Sequence, residues 1–134
     1  MLPKIKAEFC ITGLRATPEE ITESINVIPT QTWRLGDVVQ GTELHRKHNG
    51  WCLEFEESDF LDLAMAADSL LRSLLPNSKK IKHACEVYDL QCELSFAVYI
   101  VDETPIINFG HEIISGLAEL GANIDIDIIL TTAS

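Results

Sequence analysis

Asp125 and Asp127 stand two apart in the run Ile124-Asp-Ile-Asp-Ile-Ile129. In a β-strand, side chains two apart share a face, so this spacing places two carboxylates side by side. Such a pair can hold a divalent cation or divide acid and base roles in a small metal-binding or hydrolytic enzyme. A cation site demands third and fourth ligands, and no sequence pattern supplies them. The same spacing also describes the solvated face of a half-buried strand.

The other reactive residues are scattered. His45 and His48 lie three apart beside Arg46 and Lys47, but Cys52 alone does not complete a zinc-ligand pattern around them. His83 and His111 are isolated. Cys10, Cys52, Cys85 and Cys92 include no C-x-x-C pair, and each lies in an apolar run. In a reducing compartment they read as small buried hydrophobes. The chain holds no G-x-S-x-G elbow, Walker loop or G-x-G-x-x-G. Arg34-x-Gly36-Asp37 and the basic loop through Lys47 can meet an anion, but they are too few to argue nucleic acid. No catalytic residue and no cofactor is expected.

Charge is the feature with the most direct bearing on function. Residues 1–50 carry six bases and six acids, whereas residues 51–134 carry four bases and fifteen acids. The net charge of -11 therefore belongs to the second stretch. An acidic surface repels nucleic acid and anionic membranes and attracts basic partners. The cluster Glu54, Glu56, Glu57, Asp59 and Asp62 is the expected contact region. Acids there also suit a helix N-terminus or simply keep a protein soluble. Trp51 alternates in phase with Leu53 and Phe55 and reads as core. Trp33, in a polar loop, is the better candidate for partial exposure and a candidate interface anchor.

These residues must be positioned by a fold. A composition of 46% hydrophobic and 23% charged residues is that of a globular protein. A chain of 134 residues makes one domain, residues 1–134, able to bury roughly two-thirds of its unfolded surface. No apolar run approaches the ~18 residues of a membrane span, and Lys4, Lys6 and Glu8 interrupt any signal-like start. The chain is expected in the cytoplasm.

The first strand spans Lys4 to Thr12, with Ile5, Ala7, Phe9 and Ile11 facing one way and Lys4, Lys6, Glu8 and Cys10 the other. Thr17-Pro18-Glu19-Glu20 starts a helix with a capping box and proline at its first position. A short strand through Val38 and Val39 leads to a tight turn at Asn49-Gly50, and Trp51 to Phe55 returns. A helix capped by Ser58 or Asp59 runs to about Leu75, where Pro76 stops it. Ile81 to Tyr88 and Gln91 to Val101 read as strands. A third helix ends at Leu120 with Gly121 as its left-handed cap, and Asn123 to Leu130 is the last strand. The order β-α-β-β-α-β-β-α-β predicts an α+β fold: a mainly antiparallel sheet with about three helices against it.

Several segments together are similar to one known family. They are Phe9-Cys-Ile-Thr-Gly13, Thr17-Pro-Glu-Glu-Ile-Thr22, Ile28-Pro-Thr30, Gly36-Asp37, Gly50-Trp51, Leu74-Leu-Pro76 and Leu117-Ala-Glu-Leu-Gly-Ala-Asn-Ile-Asp-Ile-Asp127. Their order over nearly the whole chain resembles a bacterial family of small single-domain proteins, DUF4279. The resemblance implies a single domain and carries over no activity, cofactor or catalytic residue. The expected function is thus a non-enzymatic binding module, such as an immunity-type protein that neutralises a basic bacterial toxin domain. The alternatives are the metal or hydrolytic site at Asp125 and Asp127, and a scaffold that self-associates through a sheet edge.

Overall fold

A computed structural model describes residues 4–58, 62–102 and 104–131, with the side chains of 56–58 left aside. Five strands form one sheet in the order β2-β3-β1-β4-β5. They are β1 (Lys4–Gly13), β2 (Gln31–Trp33), β3 (Asn49–Ser58), β4 (Gln91–Ile100) and β5 (Ala122–Leu130). Three of the neighbouring pairs are antiparallel, and β4 with β5 is parallel. The helices are α1 (Pro18–Ile25), α2 (Leu63–Leu74), α3 (Ser78–Tyr88) and α4 (His111–Leu120). The expected α+β class is what the chain adopts.

Local chemistry sets most boundaries. Thr17 Oγ1 accepts from the Glu20 N–H while Glu20 reaches back to the Thr17 N–H, closing the capping box that starts α1. Asn26, in the left-handed region at φ 58°, ends it. Gly121 at φ 69° ends α4 in the same way. Asp62 caps α2, its Oδ1 accepting from the Ala64 N–H at 3.0 Å. The proposed caps Ser58 and Asp59 fall short of this start, and Asp59 lies outside the described residues.

Several readings need correction. Ile81 to Tyr88 is not a strand but most of α3. Ile81 and Ala84 are buried with Cys85 and Tyr88 packed beside them, a three-four spacing that marks a helix. The helix expected to stop at Pro76 does end there, α2 closing at Leu74 with Leu75 as its cap, but a further helix follows at once. Pro76 sits in a short 3₁₀ turn, Leu75–Asn77, where its missing N–H costs nothing, and the chain re-enters a helix at Ser78. Asn49-Gly50 is not the hairpin turn either, because both residues already belong to β3. The chain instead reverses at Val39 to Thr42, where the Thr42 N–H donates to the Val39 carbonyl and Gly41 takes φ +79°. Val38 makes only an isolated bridge to His45.

The core lies between one face of the sheet and the helices. Ile5, Phe9, Ile11, Trp51, Leu94, Phe96 and Val98 point into it and are at most 1% exposed. Ile21, Ile25, Leu63, Leu70, Leu74, Ile81 and Leu120 meet them from the helices. Trp51 is fully buried, as its alternation implies, and its indole N–H donates to Thr22 Oγ1 at 3.0 Å. No helix among the described residues is long and apolar enough to cross a membrane.

Candidate functional site

The other face of the sheet carries the polar half of each alternation. Register lays its residues out in rows. One row runs Glu54, Glu8, Ser95, Asp125 from β3 to β5. On one side of it Lys6, Ala97 and Asp127 are in register, and on the other Cys52, Cys10, Glu93 and Asn123. A further step brings Trp33, Gly50, Thr12 and Gln91. The rows are roughly 7 Å apart, and neighbouring strands about 4.8 Å. Lys6, Glu8, Thr30, Glu54, Ser95 and Asp125 line a shallow hollow of about 620 Å³ here, with Asp127 at its edge.

The hollow is strongly acidic. Burial holds the Glu8 carboxyl above its ordinary value, and Glu54 directly opposite pushes the same way, as does Glu93. Arg46 and Lys6 pull it down without cancelling the rise. Like charges opposite one another across two strands destabilise the pair. The face therefore holds a charge arrangement that a cation would relieve.

Trp33 closes one end of this face. It is the last residue of β2, and its indole lies across Gly50, where any Cβ would run into the ring. The Arg46 guanidinium stacks over the indole at 4.0 Å from the ring centroid. His48 packs alongside at 6.2 Å between centroids. The indole N–H and His48 Nδ1 are buried without a hydrogen-bond partner among the described residues.

The residues expected to act together are thus redistributed. Trp33 and Glu54 share the open face with Asp125 and Asp127, so residues read as rival sites line one surface. Asp62 stands apart as the α2 cap. The side chains of Glu56 and Glu57, and all of Asp59, lie outside the described residues. Glu8 joins the site through long-range register, which the spacing of the sequence does not reveal. Arg34 and Asp37, offered as an anion site, satisfy one another and α1: the Arg34 guanidinium donates to Glu19 at 2.6 Å, and Asp37 accepts the Arg34 N–H. His45 is exposed, its Nδ1 within 2.8 Å of the Gly36 carbonyl.

The cysteines depart from their reading as four inert thiols. Cys10 and Cys52 are directly opposite on β1 and β3, 4.2 Å apart at Cα, and form a disulfide across 42 residues of sequence. With Glu8 they are the three potential metal-ligand residues that come within 4.8 Å of one another among the described residues. Among the described residues Asp125 and Asp127 do not join a third ligand in this way. Cys85 and Cys92 remain thiols.

No curated protein and no solved structure matches the chain. A family profile does match it, over residues 3–131, which is nearly its whole length. The chain belongs to that family, DUF4279, a domain of unknown function.

Proposed function

We propose that this chain is a non-enzymatic binding protein that presents the open face of its sheet to a basic protein, in the manner of an immunity-type protein masking a basic toxin domain. The observation that carries this reading is the acidic hollow around Glu8. A carboxyl held above its ordinary value by burial and by Glu54 gains from a cationic side chain brought beside it. Asp125 and Asp127 extend the same field to the sheet edge, and the Trp33–Arg46 stack stands at the other end of the face. The net charge of -11 steers a basic partner towards the chain, and the face fixes its orientation. This role places the chain in the cytoplasm. The β1–β3 ladder pairs residues on both sides of Cys10 and Cys52, from Ala7 with Phe55 to Gly13 with Asn49, so backbone pairing supports the face alongside the disulfide.

Affinity capture tests the reading, with the native chain and a quadruple variant as baits: Glu8→Gln, Glu54→Gln, Asp125→Asn and Asp127→Asn. The native chain is expected to retain a basic protein that the variant releases, with affinity falling steeply as salt rises. Recovery of no basic protein, or binding indifferent to salt, would refute it.

A further inference from the structure

The helix-covered side of the sheet holds a second pair of cysteines. The last turn of α3 ends at Asp89, a left-handed residue at φ 55°, and the Leu90 N–H returns to the Cys85 carbonyl at 2.9 Å. This tight reversal delivers the chain into β4, whose second residue is Cys92. The two sulfurs meet at 2.9 Å, an S–H···S contact and not the ~2.05 Å of a disulfide bond.

Their surroundings are unequal. Cys85 is half-buried, whereas Cys92 is 3% exposed behind it. A hollow of about 300 Å³ opens over the pair, bounded by Lys82, Glu86, Gln91, Leu120 and Gly121. The hydrogen bond between the two sulfurs holds the Cys85 thiol below its ordinary value, while that bond and burial push Cys92 above it. A half-buried thiol facing a hollow, with a buried thiol in contact behind it, is the arrangement of an attacking and a resolving cysteine.

We propose that Cys85 and Cys92 form a dithiol site that reacts with low-molecular-weight disulfides by thiol–disulfide exchange, with Cys85 attacking and Cys92 resolving. The Cys85 thiolate attacks one sulfur of R–S–S–R through the hollow. The R–S–S–R bond breaks, one RS⁻ departs and takes up a proton, and Cys85–S–S–R remains. Cys92 then loses its proton and attacks Cys85 Sγ. The bond to the second R–S group breaks, and that group leaves as RSH. Two thiols are oxidised to one disulfide, and one R–S–S–R is reduced to two RSH.

The Cys10–Cys52 bond does not interfere. Cys92 is in register with Ile11, and Cys10 with Glu93, so the two cysteine pairs lie on opposite faces of the sheet. The new bond would lock the end of α3 to the start of β4.

The test uses the full chain with Cys10–Cys52 intact and oxidised glutathione as the disulfide. After incubation the chain is denatured, free thiols are blocked with a maleimide, and intact mass and linked peptides are measured. Two maleimide adducts are expected before oxidation and none after, with a peptide linking Cys85 to Cys92. Cys92→Ala is expected to trap glutathione on Cys85, and Cys85→Ala to leave Cys92 unmodified by glutathione. Circular dichroism confirms that each variant is folded, and the native-chain result stands without them. Persistence of both adducts in the oxidised native chain overturns the proposal. So does stable glutathione on Cys85 beside a free Cys92.

Discussion

The two faces of the sheet are built from alternate residues of the same strands, yet they behave as different materials. Towards the helices, Phe9, Ile11, Trp51, Leu94 and Phe96 are 0–1% exposed and pack against one another. Towards solvent, Glu8, Glu54, Ser95 and Asp125 lie in one row with two carboxylates opposed. A residue on the first face contributes stability through burial. On the second, Glu8 meets the like charge of Glu54, which Arg46 and Lys6 offset only in part. The contrast separates what holds this protein together from what it offers to a partner. Asp125 and Asp127 also stand on an edge strand, where charge discourages pairing between sheets.

Substitutions on the two faces should therefore differ in size and in sign. The largest effect is expected of Trp51→Ala, which removes a fully buried indole and leaves Thr22 without its donor. A loss of about 3–5 kcal/mol in chemical denaturation is expected. A loss below ~1 kcal/mol would deny the helix-covered face its role as the main source of stability.

Gly50→Ala comes next, because it attacks the boundary between the faces. Its methyl would displace the Trp33 indole and unstack Arg46. A cost of about 1–3 kcal/mol is expected, with a red-shifted Trp33 fluorescence component. A variant of native stability and unchanged emission would show that the indole is not held against Gly50.

Glu8→Gln is the smallest and has the opposite sign. The Glu8 carboxyl is raised in the folded chain, so its protonated form stabilises the fold below the unfolded carboxylate value, and that contribution is lost as pH rises through the folded one. At neutral pH the substitution should stabilise by roughly 0.2–1 kcal/mol, the scale of one cross-strand pair. The gain should shrink as pH falls through the carboxylate range. Destabilisation at neutral pH would mean that Glu8 is compensated in the free protein.

What could be read from the sequence follows the reach of each interaction. The α1 capping box, the Gly121 cap and the alternation of β1, β4 and β5 rest on neighbours within four residues, and each is found where the residues place it. Ile81 to Tyr88 misleads because Pro76 resembles a stop when the chain can pass it through a 3₁₀ turn. The apolar residues Ile81, Ala84, Cys85 and Tyr88 do carry the helical period that separates the two readings. The parallel pairing of β5 depends on α4 crossing back over the sheet, which strand patterns alone do not show.

The site was legible in part. Asp125 and Asp127 share a face as their spacing requires, and Trp51 is fully buried whereas Trp33 is half-buried. What stayed hidden was register. Neither the opposition of Glu8 and Glu54 nor the Cys10–Cys52 bond follows from spacing, because both depend on how β3 returns along β1 after more than forty residues. For the same reason Asp62 was grouped with Glu54, although one caps a helix and the other faces solvent across the sheet.

The central claim is that a basic partner recognises the open face and not merely the net charge. Titration calorimetry of the captured partner against three chains tests it: the native chain, the quadruple open-face variant, and a variant with Glu23, Glu86, Glu112 and Glu119 each replaced by Gln. Both variants lose four negative charges, the second from exposed helix positions. The open-face variant is expected to bind about tenfold more weakly or worse, and the helix variant within about twofold of native, since each exposed pair contributes a few tenths to 1 kcal/mol. Equal weakening of the two, or a larger loss from the helix variant, would contradict the account.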